Sequence, residues 1–242
     1  MPTVPTGSKI LVSGANGYIA AWLVRYLLER EYLVRGTVRS EEKAKFLRNL
    51  FKGYGDKFEA VIVDDMTAEG AFDDAVKGVD AIEHTASPFH FNIDDPQELI
   101  EPAVKGTTRI LESAVKHGQG IKRIVITSSG AAILRVEPQP TLFSEENWNE
   151  QSPKDIEEQG RSAPAITKYR ASKALAEKAA WAFYHRHKPQ ISWDLVVINP
   201  PFVFGPSIQD VPNPSSLGTS AADWHEIVVT GSKSPETGAQ RG

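Results

Sequence analysis

A doubly wound parallel α/β sheet is the fold class that this 242-residue sequence predicts, and three observations predict it. Short apolar runs alternate with helical stretches from Lys9 to Ile198. Those runs are nearly unbroken rather than alternating with polar residues, so each strand is expected to be covered on both faces. The first run enters a glycine-bearing turn that leads directly into a helix, and this sets the expected strand order at 3-2-1-4-5-6.

Each element has its own signal. Lys9 to Ser13 is a buried strand, Gly14-Ala15-Asn16-Gly17 a turn, and Tyr18 to Arg30 a helix. Tyr32 to Val38 is a second strand, Glu41 to Phe51 a helix, and Phe58 to Val63 a third strand. A short helix is expected over Ala68 to Lys77 and a fourth strand over Asp80 to His84. The long helix from Pro96 to His117 starts with Asp95 as N-cap, Pro96 in the first turn and Glu98 behind it. Ile121 to Thr127 is the fifth strand, and the polar, proline-bearing stretch from Glu137 to Pro164 is expected to be a loop. A helix through Tyr169 and Lys173 runs to His187, and Trp193 to Ile198 is the sixth strand. Residues 1–206 thus form one nucleotide-binding domain. Residues 207–242 change character, with one helical candidate at Ala221 to Val229 and a polar tail from Ser232 expected to be disordered.

The turn after the first strand has the spacing Gly14-x-x-Gly17-x-x-Ala20. Gly14 permits a tight turn, Gly17 a close approach of backbone to a pyrophosphate, and Ala20 close packing of helix on strand. The free N–H groups and partial positive charge of the helix start suit phosphate. Gly14, Asn16, Gly17, Tyr18 and Ile19 are therefore the candidate phosphate-binding residues. An NAD site usually carries an acid at the end of the second strand. Here Arg39 stands there, with Lys43 one helical turn later, a pair suited to the 2′-phosphate of NADPH.

Tyr169 and Lys173 are spaced four apart on a helix and so share one face. A phenol titrates near 10 in water, and a neighbouring ammonium favours the phenolate. That pairing makes Tyr169 a candidate proton donor.

Composition excludes several classes. The chain is 40% hydrophobic and 24% charged, with a net charge of −4, so no basic surface for nucleic acid is expected. It has no cysteine, which excludes disulfides and thiolate chemistry. Six histidines without ligand-like spacing predict no metal site. No secretory signal opens the sequence and no apolar run spans a bilayer, so a cytoplasmic protein without a membrane partner is expected.

Taken together, these runs resemble the extended short-chain dehydrogenase/reductase family, and within it the branch of dihydroflavonol reductases, yeast methylglyoxal and aldehyde reductases and fungal D-lactaldehyde dehydrogenases. The resemblance rests on Val12 to Ala20, Val38 to Lys43, His84-Thr85-Ala86-Ser87-Pro88-Phe89, Thr127-Ser128-Ser129, Tyr169 to Lys173, and Asn199 to Pro206. It implies a Rossmann fold and assigns Ser129 as the catalytic serine beside Tyr169 and Lys173, leaving Ser128 as a strand-end cap. It places Asp65 and Met66 at the adenine, Ala86 and Ser87 along the cofactor, Pro200 at the nicotinamide, and Ser220 near a phosphate. Phe89, Ile166 and Phe202 become candidate substrate walls, and Gly130 a position that widens the pocket. The implied activity is NADPH-dependent reduction of a small aldehyde or ketone. Ser129 and Tyr169 hold the carbonyl oxygen, Tyr169 delivers the proton, and Lys173 holds the ribose and lowers the tyrosine pKa. Family members continue for about another hundred residues, so the substrate lobe is expected to be largely missing from this sequence. The alternative is a catalytically impaired NADP(H)-binding module or sensor.

Overall fold

The computed structural model describes residues 3–87, 93–211, 213–214 and 217–232. Six strands form one parallel sheet: β1 (Lys9–Ser13), β2 (Leu33–Val38), β3 (Phe58–Ile62), β4 (Ala81–His84), β5 (Arg123–Thr127) and β6 (Asp194–Ile198). Their order is β3-β2-β1-β4-β5-β6, as the alternating pattern predicts. Among the described residues six α-helices accompany them: α1 (Tyr18–Glu29), α2 (Glu41–Leu50), α3 (Gln97–His117), α4 (Gln151–Gln159), α5 (Ala165–His187) and α6 (Thr219–Trp224).

The period of two along each strand divides the core between the two faces of the sheet. Ile10 and Val12 of β1 join Val34 and Val38 of β2 beneath Val24 and Leu28 of α1 and Leu47 of α2. Leu11, between them, points the other way with Ile82, Ile124 and Ile126, beneath Ile110 and Leu111 of α3 and Ala180 of α5. Leu11, Val12, Ile82 and Ile124 are fully buried, which explains why the strands carry apolar residues on both faces.

Three elements differ from expectation. Residues 68–77 are not a helix but a chain of turns, closed mainly by bonds such as Ala71 N–H to Ala68 C=O and Asp73 N–H to Gly70 C=O. Gly70 and Gly78 take φ of 72° and 68°, a left-handed conformation that breaks helical continuity at both places. Phe72 and Val76 are buried all the same, so the turns bury the side chains whose spacing signalled a helix.

The stretch expected to be a loop contains α4. Asn149 caps it by accepting the Ser152 N–H at 3.0 Å, Ile156 buries its inner face, and Gly160 ends it at φ 55°. The cap and terminal glycine are legible signals, masked by the polar composition around them. The candidate at Ala221 to Val229 divides into α6 and a π-helical turn at His225–Val229.

At the start of α3, Asp95 accepts the Gln97 N–H at 2.9 Å, as a cap before Pro96 should. Phe89 and residues 233–242 of the polar tail lie outside the described residues. Among the described residues no helix is long and apolar enough to cross a membrane.

Candidate active site

At the carboxyl end of the sheet a cavity of about 350 Å³ opens between the β1–α1 turn, the ends of β4, β5 and β6, and α5. Gly17, Tyr18 and Ile19 line it on one side, Ser87, Ser129, Tyr169 and Lys173 on the other, with Pro200 and Ser220 at its margin. This location follows from topology, because the strand order reverses between β1 and β4 and the connections leave a crevice there.

The turn is built for close approach. Gly14 has φ 63°, and a β-carbon there would stand 3.0 Å from the Cα of Ala86, so a side chain is excluded by both conformation and space. Ala15 N–H donates to Thr37 C=O at 2.9 Å and Gly14 N–H to Thr37 Oγ1 at 3.3 Å, tying the turn to the end of β2. Gly17 offers α1 no side-chain cap, and no acid stands in its first turn. The helix start is therefore left positive and unblocked, which fits a pyrophosphate. Arg39 follows Thr37 by two residues, is exposed, and has no ion-pair partner among the described residues. Lys43 differs, since its Nζ stands 3.0 Å from Asp210 Oδ2, a contact 167 positions away in sequence. The two cations read as an equivalent pair are thus unequal.

Tyr169 and Lys173 project from α5 into the cavity. The Tyr169 hydroxyl lies 3.4 Å from Ser129 Oγ, whose position is held by the Ala131 N–H at 3.1 Å. Lys173 Nζ donates to Ser87 Oγ at 2.8 Å and sits 5.8 Å from the Tyr169 ring centre. Burial pushes the Lys173 ammonium down to about 8. Burial also raises the Tyr169 phenol above its ordinary value, opposed by its hydrogen bond with Ser129. The expected lowering of the tyrosine by the lysine is therefore not the dominant effect in this state. Desolvation is stronger, and Lys173 is engaged with Ser87.

The remaining predicted residues divide. Asp65 is exposed and closes a local turn, its Oδ1 accepting from Thr67 N–H at 2.8 Å and Thr67 Oγ1 at 2.7 Å. The Met66 side chain instead packs on α3, where a β-carbon at Gly106 would fall 1.9 Å from its Cε. Ile166 is half-buried one turn before Tyr169 but does not line the cavity. Phe202 is also outside it: the ring is 47% exposed and stacks on Phe204 at 5.9 Å, while Pro201 and Val203 face the cavity instead. A β-carbon at Gly130 would make only ordinary contacts of 3.5 Å with Leu134 and Pro200.

Glu177 escaped the sequence reading, and Asn199 entered it only as the first residue of a run. Ser128, expected to cap a strand, donates instead to the buried Glu177 of α5 at 2.6 Å. Asn199 Nδ2 donates to the same Glu177 oxygen at 2.7 Å. His84 is buried, its Nδ1 2.8 Å from Ser13 Oγ. Ser13 Oγ already accepts the Thr85 and Ala86 N–H groups, so its own proton goes to His84. Burial, with Lys173 nearby, lowers that imidazole to about 3 and keeps it neutral.

Fold and site together define a dinucleotide-binding α/β protein with a Ser–Tyr–Lys constellation at the crevice. The chain belongs to the NAD dependent epimerase/dehydratase family, which it matches over residues 10–235. A protein of Schizosaccharomyces pombe described as an uncharacterized oxidoreductase is 44% identical over 94% of this chain and 67% of its own length. The NADPH-dependent methylglyoxal reductase of Saccharomyces cerevisiae is 38% identical over 88% of this chain and 63% of its own. The crystal structure of the Candida albicans reductase Gre2 in complex with NADPH superposes with a TM-score of 0.80 at 37% identity, covering 92% of this chain and 65% of that one. The chain spans about two thirds of the length of these relatives.

Proposed function

We propose that this chain carries the cofactor half and the catalytic residues of an NADPH-dependent carbonyl reductase acting on small aldehydes or ketones. One observation carries the reading: Ser129, Tyr169 and Lys173 converge on a cavity whose opposite wall is the uncapped start of α1. That a related Gre2 was crystallised with NADPH, and that a relative reduces methylglyoxal, supports the choice of cofactor and substrate class.

A bound nicotinamide supplies the hydride. Tyr169 and Ser129, their hydroxyls 3.4 Å apart, hold the carbonyl oxygen as it gains negative charge. Tyr169 gives its phenolic proton to that oxygen. Its raised pKa keeps the proton in place until the oxygen becomes basic. Lys173 keeps donors to spare beyond Ser87 and holds the ribose hydroxyls. Apolar Pro201 and Val203 favour a carbonyl flanked by hydrophobic groups.

The test is NADPH titration followed by NADPH oxidation with a panel of aldehydes and ketones. Loss of one oxyanion donor costs about 10²–10³ in turnover, so Ser129→Ala should fall by that much with NADPH affinity intact. Tyr169→Phe should be close to inactive. Wild-type turnover in Tyr169→Phe refutes the mechanism, and binding without turnover on any carbonyl favours the module alternative.

A further inference from the structure

Tyr169, Lys173 and Glu177 stand at i, i+4 and i+8 along α5, and the first two face the chemistry. Glu177 is buried, and it is a carboxylate where the helix could have packed an apolar residue. Its Oε2 accepts the Ser128 hydroxyl at 2.6 Å and Asn199 Nδ2 at 2.7 Å. The same Asn199 amide reaches Ser129 C=O at 3.2 Å. Past the strand ends, Ser128 N–H bonds Ile198 C=O and Gly130 N–H bonds Pro200 C=O, both at 2.8 Å, so the peptides around Ser129 and Asn199 move together.

We propose that Glu177 is a positioning residue that sets the separation of Ser129 from Tyr169. This inference rests on the reductase reading above. Tyr169 and Glu177 belong to one rigid helix, two turns apart. Glu177 grips the residue before Ser129 through Ser128, and the Ser129 carbonyl through Asn199. The helix that carries the proton donor therefore also holds the strand end that carries the serine. An error of about 1 Å at a reacting group can cost 10²-fold in rate, so this tie bears on turnover rather than on cofactor affinity. Both donors converge on a single oxygen. A glutamine that places its amide oxygen there keeps both bonds, whereas leucine leaves the buried Ser128 hydroxyl unpaired and Asn199 Nδ2 with only its bond to Ser129 C=O.

The test compares Glu177→Leu, Glu177→Gln and Asn199→Ala in the full chain, with methylglyoxal as probe substrate and NADPH binding followed by fluorescence. Glu177→Leu should lose about ten- to a hundredfold in kcat. KM and the NADPH dissociation constant should stay within about threefold of wild type, and Glu177→Gln should retain kcat to within the same factor. Asn199→Ala, which leaves the helix untouched, should show the same kcat-selective loss and decides the matter if Glu177→Leu does not fold. A crystal structure of either damaged variant should show Ser129 Oγ and Tyr169 Oη beyond hydrogen-bond reach, a readout independent of turnover. Unchanged separation, or a glutamine variant as impaired as the leucine one, overturns the proposal. Ser129→Ala separates the two failures. If it keeps full turnover, the reductase mechanism falls. If it loses turnover while Asn199→Ala does not, only the role of Glu177 falls.

Discussion

Arg39 and Lys43 occupy neighbouring positions in sequence but should contribute unequally to NADPH recognition. Arg39 lies two residues past Thr37, which holds the phosphate turn through both its carbonyl and its hydroxyl. It is exposed and unpaired with any carboxylate among the described residues, so a phosphate gains its guanidinium without breaking an ion pair. A hydrogen bond to a charged partner is worth about 1.5–3 kcal/mol, and solvent screening favours the lower half of that range. Arg39→Ala should therefore weaken NADPH by about 10- to 30-fold and leave NADH within about twofold. Lys43 already neutralises Asp210, with side chains 24% and 35% exposed. Moving it to a phosphate exchanges one anion for another, an exchange comparable to an exposed ion pair at about 0.2–1 kcal/mol. Lys43→Ala should thus weaken NADPH by no more than about fivefold, and Asp210→Asn should tighten it by a similar factor. Fluorescence titration of each variant with both cofactors measures all of this. Equal losses of NADPH and NADH in Arg39→Ala, or a larger effect at Lys43 than at Arg39, would refute the reasoning.

Two further expectations concern protons. Lys173 works as an ammonium, and burial brings it down to about 8, so kcat/KM for NADPH should decline above about pH 8. The phenol of Tyr169 is displaced upward and cannot produce that limb, so a decline appearing only near pH 10 would contradict the burial argument. Glu83, in the middle of β4, is raised from 4.5 to about 7 by burial. Its native pKa exceeds its unfolded one, so its contribution is fully present below pH 4.5 and is lost as pH rises through 7. Glu83→Gln should become more stable relative to wild type by up to about 3 kcal/mol between pH 4 and pH 8. Denaturant melts at the two pH values check this, and a pH-independent difference would sink it.

Local patterning carried much of this protein. The unbroken apolar runs followed from burial on both faces, and the Gly14 turn from a conformation that other residues rarely adopt. The Tyr169–Lys173 face followed from helical periodicity alone. Where a local signal was ambiguous, the reading went wrong. Residues 68–77 had the apolar spacing of a helix, but Gly70 and Gly78 turned the chain. α4 had its cap at Asn149 and its stop at Gly160, but its polar face hid it.

What only the tertiary structure decided are the partnerships between residues distant in sequence. Lys43 meets Asp210, Lys173 meets Ser87, and Glu177 gathers Ser128 and Asn199. Phe202 does not line the cavity that its neighbours Pro201 and Val203 line, and it stacks on Phe204 instead. The physical reason is range. A strand, a turn or a helical face is determined by neighbours a few positions away, and sequence records those neighbours directly. Which carboxylate neutralises a given lysine, and how far burial displaces its proton, depends on how separate segments pack around it.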